Sequence, residues 1–297
     1  MRLARRTFLI AAATLPFAPA FAPASAAPKR DALRAAERRI ADIEKKAGGR
    51  LGVFVHDSGG GANLAHRAHA RFPMCSTFKF LAAAAVLEKV DKGALRLDQD
   101  IAYGETDLLE YAPETRKHVG DGQMRLGDLC AAAIQWSDNT AANLLLKQIG
   151  GPAGLTRYAR AIGDKVTRLD RTEPTLNTAI PGDLRDTTTP AAIAHTLETV
   201  LTRGALSAAS ARQLEDWMIG DKVADARLRA GLPKDWGIGD KTGTGDNGTA
   251  NCVAIIRPPN RKPLFAAVYL TGSKGAPAER NAVHAEIGQL IGEVFAA

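Results

Sequence analysis

Four short groups of residues have the types and spacing to do covalent chemistry on a carbonyl. The first is Ser76-Thr-Phe-Lys79. A serine and a lysine three apart share one helix face. An amine whose pKa is depressed by burial or by other cations can take a hydroxyl proton. A serine at a helix start also lies beside unpaired backbone amides, which suit an oxyanion. The second group is Ser137-Asp138-Asn139. Here a hydroxyl can pass a proton and an amide can hold a carbonyl, although all three residues also serve as helix caps. The third is Lys241-Thr242-Gly243-Thr244, in a stretch that reads as a strand. Glycine in a strand marks close approach of a ligand. A sheet edge at this point offers backbone hydrogen bonds to an amide, while Lys241 and Thr242 attract a carboxylate; a plain edge lysine is the simpler account. The fourth is Glu173 with Asn177, four apart in a loop. A carboxylate beside an amide can hold one water and act as a general base, where the simpler account is a solvated loop acid.

The surrounding elements must bring these groups together. Phe72-Pro73 reads as extended chain, since a residue before proline avoids the helical region. Ser76 or Thr77 can cap the helix that follows. Phe80–Leu87 is apolar nearly all round, so that helix is expected inside. Further helices are expected over 32–46, with a stripe of Leu33, Ala36, Ile40 and Ile43, and over 126–137, 140–149, 154–162, 190–201, 207–219, 222–229 and 277–295. Strands are expected over 51–57, 62–67, 236–244, 251–257 and 263–270. Strands thus lie at both ends of the chain with helices between. The pattern predicts an α+β fold in two lobes: a five-stranded, mostly antiparallel sheet covered by the two terminal helices, from 28–69 and 221–297, and an all-helical lobe from 70–220. Between Asp170 and Pro190 periodicity fails, and apolar Leu176, Ala179 and Ile180 argue for an ordered Ω-loop. A cleft between the lobes is where a small-molecule site is expected.

The chain has 297 residues, 45% hydrophobic, enough for a sizeable core. Residues 1–27 read as an export signal: Arg2, Arg5 and Arg6, then Phe8–Leu15, then Ala24-Ser-Ala-Ala27. The pair Arg5-Arg6 before Thr7-Phe8-Leu9 resembles a twin-arginine signal. The apolar stretch is too short and proline-rich to span a membrane. The net charge of +7 includes three arginines and no acid in that segment, leaving a mild +4 that points to no nucleic-acid partner. Cys75, Cys130 and Cys252 are an odd number, so at least one is free, and buried thiols are expected, with a Cys75–Cys130 or Cys75–Cys252 bridge left open. His56, His66 and His69 show no repeat or acidic partner suggesting a metal site and read as ordinary strand and loop histidines.

Ser-x-x-Lys, Ser-Asp-Asn and Lys-Thr-Gly, in this order, form the motif set of class A β-lactamases and penicillin-binding proteins. Over about 30–297 the chain resembles a class A serine β-lactamase, with further matches at Glu110-Tyr111, at Arg171-Thr-Glu-Pro-Thr-Leu-Asn177 and at Pro181–Asp186 before Thr187–Pro190. The resemblance implies an Ω-loop over 171–186 tied by Arg171 and Asp186, and a cis Glu173–Pro174 peptide. It implies that Ser76 attacks the lactam carbonyl to form an acyl-enzyme, with the amides of Ser76 and Thr244 as oxyanion hole. Lys79 or Glu173 would activate Ser76, and Ser137 would pass a proton to the lactam nitrogen. Asn139 would bind the side-chain amide and Tyr111 would line the cleft mouth. Lys241, Thr242, Gly243 and Thr244 would grip the substrate carboxylate. Glu173 with Asn177 would activate the water that frees the enzyme.

Two departures from the family pattern stand out. Where many relatives carry a strand arginine this chain has Ala250, and Arg227 is expected to supply the charge. Cys75 faces Gly245 in place of a cysteine partner, and Cys130 faces Ala83, so neither family disulfide is expected. The resemblance implies a periplasmic or secreted monomer acting on penicillins and cephalosporins, without metal, cofactor or membrane anchor. A D,D-peptidase would share the first three motifs without the Ω-loop carboxylate, and an acylated sensor domain would be tethered to a membrane.

Overall fold

The computed structural model describes residues 26–296, with side chains from residue 31 onward. The export segment expected over 1–27 therefore lies, but for its last two residues, outside the described residues. The chain opens with helix α1 (Ala26–Ala47), strand β1 (Arg50–Asp57), the short strands β2 (Leu64–His66) and β3 (Phe72–Pro73), and helix α2 (Phe78–Asp91). Next come β4 (Asp100–Ala102), β5 (Gln123–Arg125) and helices α3 (Leu126–Gln135), α4 (Asn139–Ile149) and α5 (Gly151–Ala161). Strand β6 (Thr187–Thr188) precedes α6 (Pro190–Thr202), α7 (Ala208–Ile219) and the single turn α8 (Leu228–Gly231). Strands β7 (Gly237–Gly245), β8 (Thr249–Arg257) and β9 (Leu264–Thr271) and helix α9 (Pro277–Phe295) complete it.

The main sheet has five antiparallel strands in the order β2-β1-β9-β8-β7, so the two ends of the chain meet in the pairing of β1 with β9. On one face, Leu51, Val53, Val55, Ala254, Ile256 and Val268 pack with Leu33, Ile40 and Ile43 of α1 and with Ile287, Leu290 and Ile291 of α9. On the other, Phe54, Val253, Ile255, Phe265 and Tyr269 join the core of the helices, which includes Ile193 and Leu197 of α6. The terminal helices therefore cover only one face, and α6 covers the other. That is why every residue of β9, and all of β8 but its last, is buried.

Other expectations change in detail. Helix α1 starts at Ala26 rather than Ala32; Pro28 is no obstacle, since proline is tolerated in a first turn. The helix expected over 222–229 is only α8; before it, Asp221 Oδ1 takes the amide of Val223 and the amide of Arg227 closes a turn onto Ala224. Of the three apolar loop residues, Leu176 and Ala179 are buried, but Ile180 is half-exposed. His56 and His66 do have acidic partners, Glu198 and Glu44, each supplied by a helix distant in sequence. All three cysteines are buried free thiols.

Candidate active site

The nucleophile region forms where an extended segment turns into a buried helix. Cys75–Thr77 is one 3-10 turn, with Cys75 at φ 46°, and α2 continues from Phe78. The capping role expected of Ser76 or Thr77 is not taken: Thr77 Oγ1 turns back to Met74 O at 2.8 Å, and the Ser76 hydroxyl donates to Glu173 Oε1 at 3.1 Å. Helix α2 is buried on all sides from Phe78 to Leu87, so Lys79 at its start has no exposed surface. Its Nζ donates to Ser137 O at 2.8 Å and to Asn139 Oδ1 at 2.6 Å, and lies 3.0 Å from Glu173 Oε1. Burial pulls the Lys79 pKa down and the Glu173 charge opposes that pull.

Ser137 and Asn139 flank the start of α4, and the residue between them is structural. Asp138, fully buried, caps α4 through Ala141 N and takes the amides of Glu114 and Thr115. With Asp138 fixed, Ser137 sits at φ 58°, a left-handed conformation that non-glycine residues adopt only when held. Its hydroxyl lies between the two lysines, 3.5 Å from Lys79 Nζ and 3.1 Å from Lys241 Nζ.

Glu173 is carried into the site by the loop. The Glu173–Pro174 peptide is cis. Asp186 Oδ2 accepts from Arg171 Nε at 2.6 Å, and Oδ1 accepts the amides of Asp170 and Arg171 at 2.7 and 2.9 Å. Asn143 on α4 clasps the Glu173 backbone from both sides, donating to its carbonyl at 2.9 Å and accepting its amide at 3.0 Å. The Asn177 side chain donates to Glu173 Oε2 at 2.5 Å, and its Oδ1 is buried without a protein partner among the described residues. One carboxylate thus meets a hydroxyl, an ammonium and an amide.

Strand β7, at the sheet edge, closes the far side. A Cβ on Gly243 would lie 2.8 Å from Met74 O and 3.2 Å from Ser76 N, so only glycine lets the strand come this near the nucleophile. A Cβ on Gly245 would lie 2.6 Å from Cys75 Sγ, consistent with these two positions facing each other. Lys241 is fully buried, and burial lowers its pKa to about 8 against the opposing charge of Asp221. Arg227 donates to Gly243 O at 2.9 Å and Thr244 Oγ1 at 2.7 Å, bringing its charge to β7 although Ala250 on β8 has none.

Ser76, Tyr111, Ser137, Asn139, Asn177, Arg227, Thr242, Gly243 and Thr244 line one cleft of about 320 Å³, with Lys79, Glu173 and Lys241 buried around its floor. All twelve residues singled out in the sequence converge here. Asn143, Asp138 and Asp221 were not marked as site residues. Asn143 lies in the middle of a helix and Asp221 after one, and only the folded chain shows which backbone or charge each supports.

A buried serine bonded to a loop carboxylate, with a second serine hydroxyl set between two buried lysines, in a cleft beside an edge strand, defines an enzyme of covalent acyl transfer. The chain belongs to the β-lactamase enzyme family, whose model matches residues 35–295. It is similar to β-lactamase CTX-M-8 of Citrobacter amalonaticus, 47% identical over 255 residues, which cover 86% of this chain and 87% of the relative. Among solved structures it resembles an ancestral class A β-lactamase (GNCA), with a TM-score of 0.86 and 58% identity over 88% of this chain and 100% of that one. It also resembles the class A β-lactamase of the last common ancestor of Gram-negative bacteria (GNCA4), with a TM-score of 0.87 and 58% identity over 88% and 99%. The chain is a class A β-lactamase, a hydrolase of the β-lactam amide.

Proposed function

We propose that Ser76 opens the lactam and that Glu173 directs the water that releases the product. The observation that carries this is the single Glu173 carboxylate shared by Ser76 Oγ, Lys79 Nζ and Asn177 Nδ2. In acylation Ser76 Oγ bonds to the carbonyl carbon and the C–N bond breaks. The hydroxyl proton passes to Glu173 Oε1, its hydrogen-bond partner; Lys79, 3.0 Å from the same oxygen, gives a proton through Ser137 to the lactam nitrogen and takes the Glu173 proton in exchange, which leaves Glu173 ionised again. The amides of Ser76 and Thr244 stabilise the oxyanion. Once Oγ is an ester it has no proton to donate, so Glu173 regains an acceptor for water. Asn177 Oδ1 is a second acceptor for the same water. Glu173 removes its proton, the hydroxide attacks the ester, and Ser76 leaves with a proton restored.

Lys241, Thr242, Thr244 and Arg227 hold the substrate carboxylate, Asn139 holds its side-chain amide, and Tyr111, half-exposed, lines the mouth of the cleft. Penicillins and cephalosporins both present that carboxylate beside the lactam. We also propose two lobes, 28–69 with 221–297 and 70–220. The protein is exported through the Arg5-Arg6 segment and works as an unanchored monomer in the periplasm or medium. Among the described residues no helix is long and apolar enough to cross a membrane.

The test is mass spectrometry of Glu173→Gln after mixing with a penicillin. A general base contributes about 10²–10⁴ in rate. Without the Glu173 charge, burial holds Lys79 toward its neutral form, so Lys79 can still take the Ser76 proton while nothing replaces the base for water. The variant should therefore accumulate the Ser76 adduct while wild type turns over. An adduct cleared at wild-type speed removes Glu173 from the mechanism. A wild-type adduct that persists would favour a trapped peptidase or sensor.

A further inference from the structure

A second cluster of chemistry lies outside the serine cleft, where α6 crosses β1. His195 and Glu198 are three apart on α6 and so share a face. His56 projects from β1 toward them, its ring 4.8 Å from that of His195. His56 Nε2 is 3.4 Å and His195 Nδ1 3.7 Å from the same oxygen, Glu198 Oε2. Each group is oriented from behind. His56 Nδ1 bonds to Asn63 Oδ1 at 2.9 Å, which turns Nε2 toward the carboxylate. Arg203 occupies the other carboxylate oxygen, Oε1, at 3.0 Å, so Oε2 is the one left to the histidines. Phe54, two residues before His56 on the same strand, packs edge-on against the His195 ring at 5.2 Å.

We propose that His56, His195 and Glu198 bind a borderline divalent metal ion of the Zn²⁺ type, which clamps α6 to the sheet. Two imidazoles and one carboxylate are the protein ligands of many zinc sites that keep a position open to solvent. Such N/O sets favour Zn²⁺, Cu²⁺ and Ni²⁺ over Mg²⁺ and Ca²⁺. One donor atom from each residue lies within 4.8 Å of the others. Bonds of about 2.0–2.2 Å in a tetrahedron need donors about 3.4 Å apart, so closing the site asks for a small movement. His195, its side chain 49% exposed, can supply that movement and admit the ion. The Asn63 and Arg203 contacts are the outer bonds that hold ligands in place in a formed site.

The test uses tag-free, chelator-stripped protein and Zn²⁺ titration by calorimetry, with the absorption of the Co²⁺ derivative as a second readout of nitrogen ligation. One equivalent should bind, and Zn²⁺ but not Mg²⁺ should raise the thermal midpoint. His195→Ala removes a half-exposed ring, so it folds, and it should weaken binding at least about tenfold. His56→Ala should do the same. His66→Ala, which removes the histidine paired with Glu44, should bind like wild type. Absence of stoichiometric binding, or equal affinity in His195→Ala and wild type, overturns the site and leaves a histidine–carboxylate contact between α6 and β1.

Discussion

Replacing Asp186 by alanine should cut deacylation much more than acylation. Asp186 is fully buried and carries the tie of the Ω-loop: two backbone amides on Oδ1 and Arg171 Nε on Oδ2. Hydrogen bonds to a charged group contribute about 1.5–3 kcal/mol each, but these share one carboxylate and do not add. Breaking a buried pair by removing one partner costs about 3–5 kcal/mol. The Arg171 side chain is 18% exposed and can take water in exchange, which puts the loss near the lower end, about 3 kcal/mol. Alanine at φ 56° adds about 1 kcal/mol of backbone strain. At 1.4 kcal/mol per decade the population of the closed loop falls by a factor on the order of 10³ relative to the open one. Glu173 and Asn177 travel with the loop, while Ser76, Lys79, Ser137 and Lys241 do not, so Lys79 remains to take the Ser76 proton in acylation but the water loses its base. Asp186→Asn keeps an acceptor for the two amides and tolerates the left-handed backbone, so its effect should be about tenfold. Rapid-quench mass spectrometry separates adduct formation from adduct loss. Equal slowing of both steps, or no slowing of release, would refute the argument that the loop serves the water step.

Two further outcomes follow from the site. Lys241 acts as a cation and its pKa is lowered to about 8 by burial; it is charged below that value, so kcat/KM should fall as pH rises through about 8, and a substrate esterified at its carboxylate should lose that limb of the profile. Gly243→Ala forces β7 away from the nucleophile turn; it should cost about 1–3 kcal/mol in stability and about 10²–10³ in kcat through the displaced oxyanion donor, and an unchanged kcat would show that the close approach has no catalytic part.

Much of the site was legible because its residues carry unusual chemistry in short runs. A lysine at the start of a buried apolar helix, a serine between caps and a glycine inside a strand all break a local rule; Ser137 and Gly243 line the cleft and Lys79 is buried at its floor. The fold was legible in outline because strands at both chain ends can only pair if the ends meet, which β1 and β9 do. What failed to show was what depends on two distant segments. That α6 covers the second sheet face is not written in α6, whose apolar stripe would serve any partner. The mate of His56 is Glu198, and nothing near His56 announces it. The 222–229 stretch carries helical residues but must turn to deliver Arg227 to Gly243 and Thr244, so tertiary demand overrode propensity there.

The arrangement of charge ties these parts into one device. Three cations, Lys79, Lys241 and Arg227, are buried around the Ser137 and Thr244 hydroxyls, and burial lowers the pKa of each. Lys79 and Lys241 also repel, which depresses Lys241 further. Four carboxylates oppose the pull, Glu173 and Asp138 at Lys79 and Asp221 and Asp240 at Lys241. The Asp221 pKa is itself raised by burial, and one of its oxygens has no hydrogen-bond partner among the described residues. Burial also raises the Asp240 pKa, to about 6, and Arg229 engages that carboxylate, so the Lys241 end of the site is short of negative charge and has a definite preference for what enters it. A carboxylate arriving beside Lys241 and Arg227 supplies the missing anion and favours the protonated lysine, so substrate binding and Lys241 protonation reinforce each other. A neutral amide of the same shape would leave the cluster unbalanced. On this reading the demand for a carboxylate next to the scissile bond is set by the cations buried behind β7 as much as by the shape of the cleft.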